Sequence, residues 1–161
     1  MAKVYCAGPL FNSYEKREMA DLAETLEVSG HETFLPQRDG FELSEVGSML
    51  EKRGMKPTQT RSVLHRSIFA LDVYHLLNWA EAAVININGR VPDEGTVVEA
   101  ALAWHAAKAV VIYKKDDRAP FTGEDNPMLT CLSDLRVTAE IGELPAAVER
   151  ELQRERSSNV K

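Results

Sequence analysis

Apolar positions along the chain follow two alternating rhythms. Five short runs read as strands: Lys3 to Ala7 (KVYCA), His31 to Leu35 (HETFL), Ala82 to Asn88 (AAVININ), Lys108 to Tyr113 (KAVVIY) and Leu135 to Ala139 (LRVTA). The third and fourth are apolar almost throughout, as expected of central parallel strands covered on both faces. Between them the period is helical. Asn12 to Val28 places Met19, Leu22, Ala23 and Leu26 on one stripe and stops at Ser29-Gly30. Further helices are predicted from Thr58 to about Trp79, from Thr96 to Ala107, and from Leu144 onward, the last expected to fray into a polar tail from about residue 155. This alternation predicts one α/β domain over residues 1–161, doubly wound, with a five-stranded parallel sheet flanked by helices. Such sheets bind ligands at the carboxyl ends of their strands. The segment Phe41 to Pro57 reads as a short helix or an excursion over the site, with Gly47 and Gly54 as points of movement.

Composition narrows the function. With 161 residues, 44% hydrophobic and 27% charged, the chain has a globular balance and is neither disordered nor fibrous. Its 19 Lys+Arg against 25 Asp+Glu leave a net charge of −6, which disfavours a nucleic-acid partner. Cys6 and Cys131 have no CxxC spacing and no neighbouring His, so neither a metal site nor a redox motif is expected. No apolar stretch is long enough for a membrane span or a signal peptide, and a cytoplasmic location is expected.

The most informative segment runs from Asn88 to Trp104. It leaves an apolar strand, passes a Gly/Pro/Asp turn and enters a helix in which Glu99 is the only charged side chain between Val97 and Ala107. Thr96-x-x-Glu99 spells a capping box, in which Glu99 would only return a hydrogen bond to the helix start. Alternatively, a helix apolar on every side is buried, and an acid near its start sits at the edge of the ligand crevice, kept ionised by the helix N-terminus. Asp93 and Glu94 are turn or cap residues, or acceptors for sugar hydroxyls that would repel a phosphate. Ala7-Gly8-Pro9-Leu10 matches neither dinucleotide nor P-loop glycine patterns, so the usual machinery of nucleotide redox or phosphoryl transfer is missing.

Asp72 stands among apolar residues of the long helix. It is either a surface break in the hydrophobic face or a half-buried acid whose raised pKa suits it to hand over a proton. His65 and His75 flank it and read as packing or surface residues. At the first strand end, Tyr5 and the Gly8-Pro9-Leu10-Phe11 turn supply a phenol and an aromatic ring. Gln37, Arg38 and Asp39 form a polar cluster after the second strand, fit for a nucleobase edge or for a solvated turn. Asn126-Pro127-Met128 reads as a turn.

Tyr5-x-Ala-Gly-Pro-Leu-Phe, Asp72, Asp93-Glu-Gly-Thr-x-x-Glu99 and Asn126-x-Met128, in this order, resemble the nucleoside 2-deoxyribosyltransferases from residue 3 to about 140. The resemblance implies a flavodoxin-like fold and an enzyme of nucleotide salvage that moves a 2-deoxyribosyl group between nucleobases with retention at C1′. No cofactor is implied. It implies Glu99 as nucleophile, Asp72 as the acid that serves the base, Tyr5 as the phenol positioning the nucleophile, and Asp93 as ligand of the sugar hydroxyls. Asn126 would be lent by a neighbouring subunit of a homo-oligomer with shared active sites. Gly8, Phe11, Gln37 and Met128 complete the implied substrate-binding set, the partners being 2′-deoxynucleosides and free nucleobases. The sequence departs from the family at Glu99-Ala100-Ala101, where many members have Glu-x-Gly, and in a tail without the aromatic C-terminus of some members. The alternatives are an N-glycosidase of nucleosides or nucleoside 5′-monophosphates on the same fold, and a nucleoside-binding sensor without catalysis.

Overall fold

The computed structural model describes residues 1–40, 43–119 and 123–158. In chain order the elements are β1 (Lys3–Ala7), α1 (Ser13–Val28), β2 (Glu32–Phe34), α2 (Pro36–Asp39), α3 (Leu43–Lys52), α4 (Pro57–Tyr74), β3 (Ala82–Asn86), α5 (Glu94–His105), β4 (Ala109–Tyr113), α6 (Pro127–Thr130), β5 (Val137–Thr138) and α7 (Leu144–Ser158). A π-helical turn at His75–Trp79 continues α4, and 3-10 turns lie at Cys131–Ser133 and Ile141–Glu143. All strand pairs are parallel and the order is β2-β1-β3-β4-β5. This is the flavodoxin-like doubly wound sheet, whose switch point lies between β1 and β3.

Period-two alternation divides the strands between two cores. Val4, Cys6, Val84 and Val111 face α1 and α7, where Met19, Leu22, Leu26 and Val148 meet them. Tyr5, Ala7, Ala83, Ile85 and Ile112 face the other way, against Leu76 of the π turn and Ala100 and Ala103 of α5. Asn12 caps α1, accepting from Tyr14 N and Glu15 N, while the Glu15 carboxylate accepts from Asn12 N.

Three expectations change. The apolar helix α5 is not covered on every side: Ala100 and Ala103 are buried, but Val98 and Trp104 face outward because a flanking helix has only one face to give to the sheet. The Phe41 to Pro57 segment contains a ten-residue helix, α3, in which Gly47 is no hinge; a Cβ there would lie 3.3 Å from Leu64 Cδ1, so the glycine permits close approach to α4. Phe41 itself lies outside the described residues. The chain also stays helical to Ser158, since Arg154 is anchored to Glu151 and Asp134 and the Ser157 hydroxyl donates to the Gln153 carbonyl; residues 159–161 of the expected tail lie outside the described residues. Among the described residues no helix is long and apolar enough to cross a membrane.

Candidate active site

Asp93 starts the site by starting α5. Its Oδ2 accepts from Thr96 N at 2.8 Å and from Thr96 Oγ1 at 2.9 Å, so Asp93 is the N-cap. The Thr96-x-x-Glu99 capping box is therefore not formed: Thr96 already lies inside the helix and Glu99 is beyond its first turn. Gly95 follows because a Cβ there would come within 3.1 Å of Asp93 Oδ2.

Released from capping, Glu99 reaches across to the sheet. The hydroxyl of Tyr5, a wholly buried residue of β1, donates to Glu99 Oε1 at 2.6 Å. Tyr5 is both a core residue and a partner of this acid. Its ring stacks on Phe34 of β2 at 5.5 Å, and Phe34 stacks on His75 at 3.8 Å, a ladder of rings that fixes where the phenol points. Burial pushes the Glu99 carboxyl up to about 7; the Tyr5 hydrogen bond lowers it, and the charges of Asp72 and Asp93 raise it. Burial thus opposes the helix N-terminus, which favours the ionised carboxylate.

Asp72 faces the same cavity from α4. It is half-buried, and burial raises its carboxyl to about 6, partly offset by His75. The cavity measures about 520 Å³. Its α4 wall carries His65, Ile68, Phe69, Asp72, Val73 and Leu76, and its α5 wall Glu94, Gly95, Val98, Glu99 and Leu102. Three acids, Asp72, Glu94 and Glu99, in an otherwise mostly apolar slot suit a flat, uncharged heterocycle beside a polar ring. The apolar wall was missed in the sequence, although spacings of −7, −4, −3, +1 and +4 from Asp72 mark one helix face.

The other predicted residues lie around this centre. Gly8 sits in the β1–α1 turn, where a Cβ would come within 2.4 Å of Met19 Sδ and 2.9 Å of Asn86 Cβ. Phe11 is exposed, and Gln37 donates from Nε2 to the Lys16 carbonyl at 2.7 Å. Asn126 caps α6 by accepting from Met128 N, and Met128 projects into solvent. None of these five lines the Glu99–Asp72 cavity of a single chain. Arg38 is paired with Asp39 and Glu27, whereas the buried Gln37 Oε1 has no hydrogen-bond partner among the described residues. Among the described residues no group of three or more His, Cys, Asp or Glu is placed to hold a metal ion.

Comparison with solved structures identifies similar folds. A 2-deoxyribosyltransferase from Bacillus psychrosaccharolyticus superposes with a TM-score of 0.65 at 20% identity, covering 89% of this chain and 90% of that one. A conserved protein from Enterococcus faecalis V583 gives 0.69 at 20% identity, with 93% and 98% covered. A CMP N-glycosidase from Clostridium botulinum gives 0.50 at 16% identity, with 92% and 98% covered. No curated protein sequence matches the chain. The sequence pattern of the nucleoside 2-deoxyribosyltransferases does match, over residues 4–133, and so the chain belongs to the nucleoside 2-deoxyribosyltransferase family.

Proposed function

We propose that the protein transfers a 2-deoxyribosyl group from one nucleobase to another through a covalent intermediate on Glu99, with retention at C1′. The observation that carries this reading is the Tyr5–Glu99 hydrogen bond at the wall of a cavity shared with Asp72. The bond engages Glu99 Oε1 and leaves Oε2 as the attacking oxygen. Attack on C1′ breaks the N-glycosidic bond, and the bonding pair leaves with the base nitrogen. Asp72, whose carboxyl is raised to about 6, supplies the proton that neutralises the departing base. A second base then attacks C1′, the ester to Glu99 breaks, and Asp72 takes up the proton. Two displacements at one carbon restore the original configuration.

Asp93 uses Oδ2 for the helix cap, which leaves Oδ1 for a sugar hydroxyl. Asp93, Glu94 and Glu99 make this end of the site negative, favouring a neutral 5′-hydroxyl over a 5′-phosphate. Phe69, Val98 and Trp104 form an exposed apolar run on α4 and α5, two of them on the cavity wall. A second copy of the chain covering this face would exclude water from the glycosyl-enzyme and bring Asn126 and Met128 to its neighbour's site. Mixing a deoxynucleoside with a different free base tests the reading. The exchanged deoxynucleoside is expected on chromatography; release of base and sugar alone would replace transferase by hydrolase.

A further inference from the structure

Helices α3 and α4 diverge from their close contact at Gly47 into a second cavity of about 710 Å³. Its walls include Ser48, Glu51 and Lys52 of α3 and Thr60, Arg61 and His65 of α4. His65 also lines the Glu99–Asp72 cavity, so the two spaces share this residue as a wall.

The charge of this region is opposite to that of the site. From Lys52 to Leu71 the chain carries Lys52, Arg53, Lys56, Arg61 and Arg66 and no carboxylate, within a protein of net charge −6. None of the five forms an ion pair among the described residues. Among the described residues Glu51 is the only acid on the groove wall. Thr60 is 3% exposed, and its Oγ1 has no hydrogen-bond partner among the described residues. Cations without ion pairs on a groove wall that holds one acid among the described residues are an arrangement that an anion completes.

We propose that this groove is an anion subsite that receives a carboxylate or phosphate carried on the nucleobase side of the substrate. The side follows from charge and reach. The sugar end is crowded by Asp93, Glu94 and Glu99, which repel an anion there. Along α4, His65 and Arg61 precede Asp72 by 7 and 11 residues, roughly 10 and 16 Å at the helical rise. A bare base beside Asp72 does not span that distance, whereas a base bearing an extended acidic substituent does. The substrate class is therefore a deoxynucleoside of an acid-substituted base. Only the assignment of the base side rests on the transferase reading; binding of an anion by the groove does not.

The test uses the full chain, an Arg61→Gln/Lys52→Gln double variant and an Arg61→Lys variant, with circular dichroism as the check on folding. Inorganic phosphate, followed by calorimetry, is expected to bind the wild type and to bind the double variant at least about tenfold more weakly. Arg61→Lys is expected to recover part of the loss. Absent binding, or binding that the double variant leaves untouched, overturns the subsite whether or not the protein is a transferase. In base exchange, N6-(5-carboxypentyl)adenine is expected to exceed its neutral carboxamide analogue about tenfold in kcat/KM, the ratio collapsing toward one in the double variant. A 5′-monophosphate that gains from the groove in place of the base-borne acid would overturn the base-side assignment.

Discussion

The Tyr5 hydroxyl and the Glu99 carboxylate are joined at 2.6 Å although they stand 94 positions apart in the chain. The bond ties the interior strand β1 to α5 and withholds one of two carboxylate oxygens from solvent and substrate. Tyr5→Phe is expected to lower kcat about 10- to 100-fold, the worth of one hydrogen bond to a charged group. The same change should move the acidic limb of the pH profile upward, because the hydrogen bond lowers the Glu99 pKa. A profile that stays in place would show that the phenol has no hold on the nucleophile.

Glu99→Ala should abolish transfer, with kcat down at least about 10³-fold. Intact mass measured after incubation with one deoxynucleoside should show a deoxyribosyl adduct on the wild type and none on the variant. An adduct that persists in Glu99→Ala would assign the nucleophile elsewhere.

With Asp72 at about 6 and Glu99 at about 7, the active form has Asp72 protonated and Glu99 ionised. Its population peaks midway, so kcat/KM of the free enzyme is expected to be bell-shaped with a maximum near about pH 6.5. Asp72→Asn should flatten the alkaline limb. It should also lower the Glu99 pKa by removing a neighbouring negative charge, which a shift of the acidic limb toward lower pH would register.

Stability should follow the opposite requirement. The folded pKa of Glu99 lies above its unfolded value, so the associated stability is complete below about pH 4.5 and is lost as pH rises through about 7. Glu99→Gln removes the cost of a buried charge. Its melting temperature should exceed that of the wild type at pH 8, by the equivalent of on the order of 2 kcal/mol, and the two should converge at pH 5.

The proposed sharing of sites between two copies predicts complementation. Glu99→Ala and Asn126→Ala should each be inactive, yet a refolded mixture should regain turnover, because mixed assemblies contain some sites with both residues intact. Light scattering on the wild type should report more than one chain, and Trp104→Glu should shift it toward the monomer. A monomeric, fully active wild type would show that one chain completes the site.

Much of the fold was legible because its signals are local and repeated. The apolar runs of β3 and β4 and the Met19–Leu22–Leu26 stripe require only the hydrophobic effect acting on a fixed period. β1 was read with the same bounds as observed, whereas the other four strands are shorter than their sequence runs, the edge strand β5 most of all, with sheet on one side only. The site was legible to the extent that its acids stand in unusual company, as Asp72 and Glu99 do. Of the two caps that the sequence allows, Thr96 and Asp93, the structure uses Asp93, and deciding between candidates three residues apart depends on backbone geometry that residue types do not specify. The α3–α4 groove escaped notice because its walls come from separate helices, and the buried Thr60 hydroxyl looks like any other threonine in a list of residues.

The π turn after α4 gives the chain a counting problem. Ala80 N donates to the His75 carbonyl five residues back, one more than an α-helix would span, so His75–Trp79 holds an extra residue. Each residue advances a helix by about 100°. Deleting one from this turn would restore ordinary pitch and swing α4 about its axis relative to β3, carrying Asp72 away from Glu99 while every contacting side chain kept its identity. The separation of the two acids is thus set by arithmetic along the backbone as well as by the residues themselves, and single-residue length variants here would retune the enzyme without altering its chemistry.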